Sequence, residues 1–183
     1  MYKNFIIILS VFTFFLTGAK SDESIIKELK KGDKIIFIRH AIAPGSGDPE
    51  NFKLNDCSTQ RNLDSQGINQ SKKMGLFFQN NNIPIDQVLS SEWCRCKDTA
   101  KFAFKNFEVF SSLNSFYDAK FADNKEKQIK SLKKYVKEWK GEDNLVLITH
   151  YVVILAVLNK GTSSGEILIS NNNFKTLGSI IIK

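Results

Sequence analysis

The sequence has 183 residues, of which 42% are hydrophobic and 25% charged, and its formal net charge is +7. This length and composition predict one globular domain with a sizeable core, and they exclude a disordered or repetitive chain. The charge comes mainly from scattered lysines, which are typical of a solvated surface; attraction to anionic ligands or membrane faces is the less favoured interpretation. Because no nucleic-acid-binding motif accompanies the charge, we expect no nucleic acid partner.

The N-terminal segment has the pattern of an export signal. Lys3 precedes an apolar run over residues 5–16, and the small residues 17–19 precede Lys20. This pattern predicts a signal peptide over residues 1–19 and a mature domain over residues 20–183, in a secreted, periplasmic protein. An uncleaved anchor is the alternative, although the run is short for a membrane span, and we expect no stable span after cleavage.

Helical and strand patterns alternate along the rest of the chain. Capping residues and apolar spacing predict helices at 21–31, 63–80, 92–105, 125–139 and 152–158. Short apolar runs predict strands at 34–39, 87–90, 108–110 and 144–149, and an antiparallel pair at 166–170 and 176–182. Residues 41–62 form a long loop, and residues 111–124 are expected to be irregular. The alternation predicts a three-layer α/β/α fold around a mainly parallel sheet.

Both histidines of the chain follow apolar strands. His40 comes after the run 35–39 and His150 after the run 145–149. Since ligands bind beyond the carboxyl ends of the strands in open α/β sheets, both imidazoles are expected at the functional edge. Arg39 lies beside the first histidine, and Arg95 lies at a strand-to-helix junction. Guanidinium groups bind phosphate oxygens, so the pattern predicts an anion pocket, with phosphate favoured over a set of merely structural residues.

The chain contains three cysteines, which could form a disulfide or bind a metal. In an exported protein Cys57 is expected to form a disulfide with Cys94 or Cys96, which leaves one thiol free. Cys94 and Cys96 are too close in sequence to pair easily with each other. The three do not match zinc spacing, so we expect no metal.

Four blocks of the sequence resemble the histidine phosphatase (phosphoglycerate-mutase-like) superfamily, and they occur in family order within residues 34–158. They are Phe-Ile-Arg-His-Ala at 37–41, Leu-Asp-Ser-Gln-Gly at 63–67 with Gln70, the Ser-x-x-x-Arg-x-x-x-Thr-Ala block at 91–100, and Leu-Ile-Thr-His at 147–150.

The resemblance implies a phosphoglycerate-mutase-like fold and a catalytic set. His40 would be the nucleophile that forms a phosphohistidine, while Arg39, Arg95 and His150 would bind the phosphoryl oxygens. Arg61, in the long loop, is a further candidate for binding phosphate or the leaving group. The resemblance implies no cofactor and no metal.

The chain departs from the family at the proton donor. Mutase-like members carry a glutamate in a Leu-Asn-Glu context, and here Leu113-Asn114 is followed by Ser115. A serine hydroxyl is a poor acid at neutral pH, so the donor must lie elsewhere or be missing. The candidate carboxylates are Asp48, Asp56, Glu92, Asp118 and Asp123.

The sequence therefore predicts a metal-independent, exported phosphomonoesterase. Its substrate would be a sugar phosphate or another small phosphate ester, which includes phosphorylated groups of the lipopolysaccharide core. A phosphate-binding module with impaired catalysis is the alternative because of Ser115. A protein phosphohistidine phosphatase suits the chain length but not the export signal. The sequence leaves the oligomeric state open.

Overall fold

The computed structural model describes residues 22–182. The signal peptide predicted over residues 1–19 lies outside the described residues. Within residues 22–182 there is no helix with both the length and the apolar character that a membrane crossing requires.

The strands of the described chain form one mixed sheet. They are β1 (Ile35–Arg39), β2 (Ile85–Ser90), β3 (Glu108–Val109), β4 (Asn144–Thr149), β5 (Glu166–Ser170) and β6 (Thr176–Ile181), in the spatial order β3-β2-β4-β1-β5-β6. The pairs β1/β4, β2/β4 and β2/β3 are parallel. The pairs β1/β5 and β5/β6 are antiparallel, so the terminal pair is confirmed.

Helices cover both faces of the sheet. They are α1 (Asp22–Lys30), α2 (Ser65–Asn80), α3 (Cys94–Phe104), α4 (Ala119–Ala122), α5 (Lys125–Glu138) and α6 (Tyr151–Leu158). Ile36 and Ile38 of β1 pack with α1, α2 and α3 in one core cluster, whereas Ile35 and Phe37 pack with α5 and α6 in the other. The three-layer α/β/α fold is confirmed, and the two apolar faces of β1 explain its continuous apolar run.

The structure corrects several predicted boundaries. Residues 111–124 are not wholly irregular, because they hold a 3₁₀ turn at Ser111–Leu113 and the short helix α4. The prediction that α3 begins at Glu92 with Ser91 as its cap is wrong, since Trp93 is the N-cap residue. The Ser91 hydroxyl accepts a hydrogen bond from the Trp93 amide and is directed at the functional edge of the sheet.

The long loop between β1 and α2 is tightly held. Phe52 is buried against the Trp93 ring, and Gln60 accepts a hydrogen bond from the Cys94 amide. A side chain at Gly67 would collide with the Ile42 carbonyl, so glycine lets α2 approach the start of the loop. The loop therefore forms one wall of the site at the strand ends.

Candidate active site

Three neighbouring parallel strands end at the same edge of the sheet. His40 follows β1, His150 follows β4 and Ser91 follows β2. The His40 amide donates to the Thr149 carbonyl at 3.0 Å, and the Ser91 amide donates to the Ile148 carbonyl at 3.0 Å. These backbone bonds continue the sheet by one residue and bring the two histidines, which are 110 positions apart in sequence, side by side.

The His40 ring is buried, and a hydrogen bond to the backbone orients it. Its Nδ1 lies 2.8 Å from the Ala41 carbonyl oxygen, which can only accept, so Nδ1 carries the proton. Burial, and then the charge of Arg95, hold the pKa of His40 well below its ordinary value. The ring is therefore neutral near pH 7, with a lone pair on Nε2, which is the form a nucleophile requires.

The His150 ring lies 5.6 Å from the His40 ring, measured between centroids, in an edge-to-face arrangement. Its Nε2 is 2.9 Å from the Ser91 hydroxyl and 3.5 Å from the Cys96 sulfur. Burial and the charge of Arg95 also lower the pKa of His150 well below its ordinary value. Although His150 is the N-cap residue of α6, its side chain makes no capping hydrogen bond to this described helix, so it is not a simple helix cap.

Arg39 and Arg95 both line the cavity and both retain free hydrogen-bond donors. Arg39 donates through Nη1 to the Thr162 carbonyl at 2.8 Å, and Arg95 donates through Nη1 to Asp48. In both side chains Nε is buried and has no acceptor among the described residues. Because an unpaired buried donor is costly, these two guanidinium groups are suited to an anionic ligand.

Asp48 is the buried partner of Arg95. Its carboxylate oxygens lie 2.8 and 3.1 Å from Arg95 Nη1, and both side chains are less than 5% exposed. Burial raises the pKa of Asp48, but hydrogen bonds and charge from Arg95 outweigh this and hold the pKa below its ordinary value. Asp48 is therefore an ionised partner of the arginine and is poorly suited to donate a proton.

Arg61 lines the same cavity from the loop side. Its Nε donates to the Gly47 carbonyl at 2.7 Å, and its Nη1 donates to the Ala43 carbonyl. Gly45 and Gly47 adopt positive φ values of 89° and 67°, which lets the loop curl around the guanidinium group. Arg61 thus organises the wall and adds a third positive charge beside the histidines.

The cavity between these groups has a volume of about 220 Å³. Besides the residues above, Ser115, Tyr117, Asp118, Tyr151 and Val152 line it. Ser115 is buried, whereas Tyr117 and Tyr151 are 63% and 41% exposed, so aromatic rings flank the mouth. Arg39 also lies over the Tyr151 ring, 5.6 Å from its centroid. The cavity suits a small ligand with an anionic group inside and a larger group at the mouth.

The candidate proton donors lie in different places. Asp118 lines the cavity, and its carboxylate makes no ion pair or hydrogen bond with any described residue. Glu92 lies outside the cavity lining, where its carboxylate accepts from the Asn114 amide group. Asp123 is exposed at the end of α4, and the Asp56 carboxylate binds Ser58 within the loop. Of the two carboxylates at the cavity, only Asp118 is unpaired among the described residues.

The disulfide links Cys57 to Cys94, with 5.7 Å between their Cα atoms. It ties the loop to the first residue of α3, one position before Arg95. Cys96 is the free thiol, and burial raises its pKa to about 12, so it remains protonated and unreactive. Across residues 22–182, no three His, Cys, Asp or Glu side chains form a group that could hold a metal ion.

The fold is similar to that of solved histidine phosphatases and of a phosphoglycerate mutase, so the phosphoglycerate-mutase-like fold that the resemblance implied is confirmed. No protein-family model matches the sequence, and no curated protein matches it. Solved structures do match. The protein histidine phosphatase SixA complexed with tungstate has a TM-score of 0.58 and 16% identity over 81% of this chain and 96% of its own.

Two further structures agree with this assignment of the fold. Phosphoglycerate mutase from Thermus thermophilus has a TM-score of 0.56 and 15% identity, covering 82% of this chain and 99% of its own. A mycobacterial glucosyl-3-phosphoglycerate phosphatase complexed with VO3 has a TM-score of 0.54 and 14% identity, covering 75% and 92%. At these identities the likeness establishes the fold, and the chemistry must be argued from the site itself.

The structure brings together Arg39, His40, Arg61, Arg95 and His150, and it adds residues that the sequence did not single out for these roles. Ser91 and Asn114 form a hydrogen-bonded connection behind His150, and Trp93 donates from Nε1 to Asp48 at 3.0 Å. Ser91 lies in the third family block, and Asn114 precedes Ser115 in the stretch where the chain departs from the family, so both positions were visible in the sequence. Their contacts were not, because they join three separate segments.

Proposed function

We propose that this chain is a phosphomonoesterase that hydrolyses a small phosphate ester through a phosphohistidine on His40. The observation that carries the proposal is the buried Nδ1–Ala41 hydrogen bond, which leaves the His40 Nε2 lone pair beside two guanidinium groups. A neutral imidazole with a fixed tautomer is a competent nucleophile. The unpaired Nε groups of Arg39 and Arg95 support binding of the phosphoryl oxygens.

The reaction has two steps. In the first, His40 Nε2 forms a bond to phosphorus while the bond from phosphorus to the ester oxygen breaks, and the leaving oxygen takes up a proton. In the second, water forms a bond to phosphorus as the bond to Nε2 breaks, and the proton that the water loses restores the proton donor, so phosphate is released and Nε2 is free again. Arg39, Arg95 and His150 would stabilise the charge on the phosphoryl oxygens in both transition states.

Asp118 is the proton donor in this proposal. It occupies the cavity wall near the buried Ser115, which stands where mutase-like members carry glutamate. Asp48 is engaged by Arg95, and Glu92 by Asn114. Asp118 is the carboxylate in the cavity wall that no other described residue engages, so it is free to form a hydrogen bond with the leaving oxygen.

The substrate we propose is a sugar phosphate or a similarly small ester, which includes phosphorylated sugars of the lipopolysaccharide core. The cavity accommodates one phosphoryl group and a few further atoms, and Tyr117 and Tyr151 offer exposed rings against which a sugar can pack. Export to the periplasm is part of the proposal. It is supported by the apolar run at residues 5–16 and by the Cys57–Cys94 disulfide, which persists in oxidising compartments.

Turnover of a generic aryl phosphate by the purified protein tests the proposal. The wild type should hydrolyse it, and His40→Ala should abolish hydrolysis while inorganic phosphate still binds, because the arginines remain. Trapping of acid-labile phosphate on the wild type but not on the variant would support the intermediate. Phosphate binding without turnover of any aryl or sugar phosphate would instead favour the impaired binding module.

The role of Asp118 is tested by comparing two leaving groups. An alkyl alcohol needs a proton to depart, whereas a nitrophenolate does not. Asp118→Asn should therefore reduce kcat for an alkyl phosphate by about 10²- to 10⁴-fold, the range typical of general acid catalysis. It should change kcat for nitrophenyl phosphate little. Equal losses with both substrates would refute proton donation, and Asp123→Asn is the matched control.

A further inference from the structure

A hydroxyl and an amide connect His150 to the segment after β3. The Ser91 hydroxyl oxygen lies 2.9 Å from His150 Nε2 and 3.1 Å from the Asn114 side-chain oxygen. That oxygen also accepts from the Glu92 amide at 2.9 Å, and the Asn114 Nδ2 group donates to the Glu92 carboxylate. Ser91, Asn114 and Glu92 thus form one network behind the imidazole.

The direction of each hydrogen bond in this network can be deduced. A backbone amide can only donate and a carboxylate can only accept, so Glu92 fixes the orientation of the Asn114 amide group. Its oxygen faces Ser91, and the Ser91 hydroxyl must donate to it. Two side chains hold the backbone around Asn114 in place. Thr149 Oγ1 donates to the Leu113 carbonyl at 2.6 Å, and Gln128 Nε2 donates to the Asn114 carbonyl at 2.9 Å.

The proton of His150 follows from this direction. With its own hydrogen committed to Asn114, the Ser91 oxygen can only accept from His150, so Nε2 must carry hydrogen. We propose that Ser91 and Asn114 are positioning residues that keep a proton on Nε2 of His150 and thereby leave Nδ1 as the nitrogen that serves the phosphoryl group. This inference rests on the proposed function for its catalytic meaning.

The arrangement gives the two histidines opposite tautomers. His40 carries its proton on Nδ1 and offers the Nε2 lone pair, whereas His150 carries its proton on Nε2. When a phosphate ester dianion binds, its negative charge favours a second proton on His150; this proton comes from solvent water and goes to Nδ1, which then donates to a phosphoryl oxygen. Ser91 accepts from Nε2 in both states, so no group has to turn during the reaction.

Cys96 is the other group near the same nitrogen, and it provides a control. Its sulfur lies 3.5 Å from His150 Nε2 and 3.7 Å from the Thr149 carbonyl. A carbonyl is the stronger acceptor for the weak S–H donor, and it accepts only. The thiol is therefore not expected to determine where the imidazole proton resides.

Long-range ¹H–¹⁵N spectra of the full chain, labelled with ¹⁵N, test the inference near pH 7.5. The chain has two histidines, so His40→Ala leaves the His150 signals alone and assigns both. In the wild type we expect His150 as the Nε2–H tautomer and His40 as the Nδ1–H tautomer. His150 as the Nδ1–H tautomer would overturn the proposal without any reference to activity.

Variants separate positioning from mere packing. Asn114→Ala should free the Ser91 hydroxyl to donate to His150 and so convert His150 to the Nδ1–H tautomer. Ser91→Ala should mix the tautomers and lower kcat/KM for an aryl phosphate about 10- to 100-fold, while Ser91→Thr restores both properties. Cys96→Ala should keep the wild-type tautomer.

Two outcomes distinguish the positioning role of Ser91 and Asn114 from the proposed phosphatase activity. An unchanged His150 tautomer in both Asn114→Ala and Ser91→Ala would overturn the positioning role. The expected tautomers in a protein without phosphatase activity would support the hydrogen-bond network and count against the proposed function alone.

Discussion

The Asp48 carboxylate accepts hydrogen bonds from three residues, one in the loop and two at the start of α3. Arg95 Nη1 reaches both of its oxygens, the Arg61 amide donates at 3.0 Å, and Trp93 Nε1 donates at 3.0 Å. Asp48 thus neutralises Arg95 and fixes the loop wall at the same time. A phosphate ligand would meet Arg95 already oriented by this carboxylate, with Nε still available.

Replacing Asp48 should destabilise the folded protein, because Arg95 would lose its buried negative partner. Asp48→Asn removes the charge that compensates the buried Arg95, so the free energy of unfolding should fall by about 3 kcal/mol, as expected when one partner of a buried ion pair is lost. Inorganic phosphate should restore part of the lost stability, because the anion supplies the missing negative charge. Thermal denaturation with and without phosphate measures both effects.

The matched control is Asp56→Asn in the same loop. The Asp56 carboxylate is exposed and binds only Ser58 within the loop, so this change should leave the phosphate-induced rise in Tm at the wild-type size. If phosphate raises the Tm of Asp48→Asn no more than it raises the Tm of the wild type, then Asp48 does not compensate the charge of Arg95.

The loop between β1 and α2 depends on the disulfide and on buried side chains. Cys57 and Cys94 are 37 positions apart, and the bond joins the loop directly to the helix that carries Arg95. Phe52 and Gln60 add packing and hydrogen bonds on the same side. The element that positions Asp48 and Arg61 is therefore held to α3 by a covalent link.

Loss of the disulfide should destabilise the protein by about 4 kcal/mol, the chain-entropy value for a ring of this size. We expect wild-type protein refolded with a reductant to unfold at lower urea concentration than oxidised protein, and its loop to be cleaved faster by a protease. The Cys57→Ala/Cys94→Ala double variant is the control. Its urea midpoint and its rate of cleavage should be the same with and without the reductant. Identical midpoints for reduced and oxidised wild type would contradict the prediction.

The stability of the whole molecule depends on pH because its two histidines are buried. Burial and the charge of Arg95 lower the pKa values of both His40 and His150 in the folded state. In the unfolded chain each imidazole titrates near its ordinary pKa of about 6.5. Below that pH the unfolded chain takes up protons that the folded protein excludes, so stability is complete above about pH 6.5 and decreases as pH falls.

Urea unfolding between pH 7.5 and 5 measures this dependence. The free energy of unfolding should fall by up to about 1.4 kcal/mol per pH unit for each histidine, until the pH reaches the folded-state pKa. His150→Gln should reduce the slope to about half, because one of the two protons is lost. A wild-type stability that is flat or rises across this interval would show that the imidazoles are not held neutral.

Local patterns and the order of strands were enough to specify the strands, the longer helices and the centre of the site, but not the short helix α4 or the first residue of α3. Apolar runs with two buried faces specified β1 and β4, and residues directly after such strands must lie at one edge of a parallel sheet. His40 and His150 could therefore be paired from the sequence alone. The positions of Arg39 and Arg95 followed from the sequence blocks at 37–41 and 91–100 that resemble the histidine phosphatases. Periodicity and motifs encode features of this kind because they are local or depend on strand order.

Which distant side chains meet was decided by tertiary packing. Cys94 and Cys96 are separated by about 200° around α3, so one faces the loop and pairs with Cys57 while the other faces His150. Likewise, Asp48 could have been a proton donor by its type and position, and packing made it the partner of Arg95. Such contacts depend on helix rotation and loop path, which are set by the packing of the whole core.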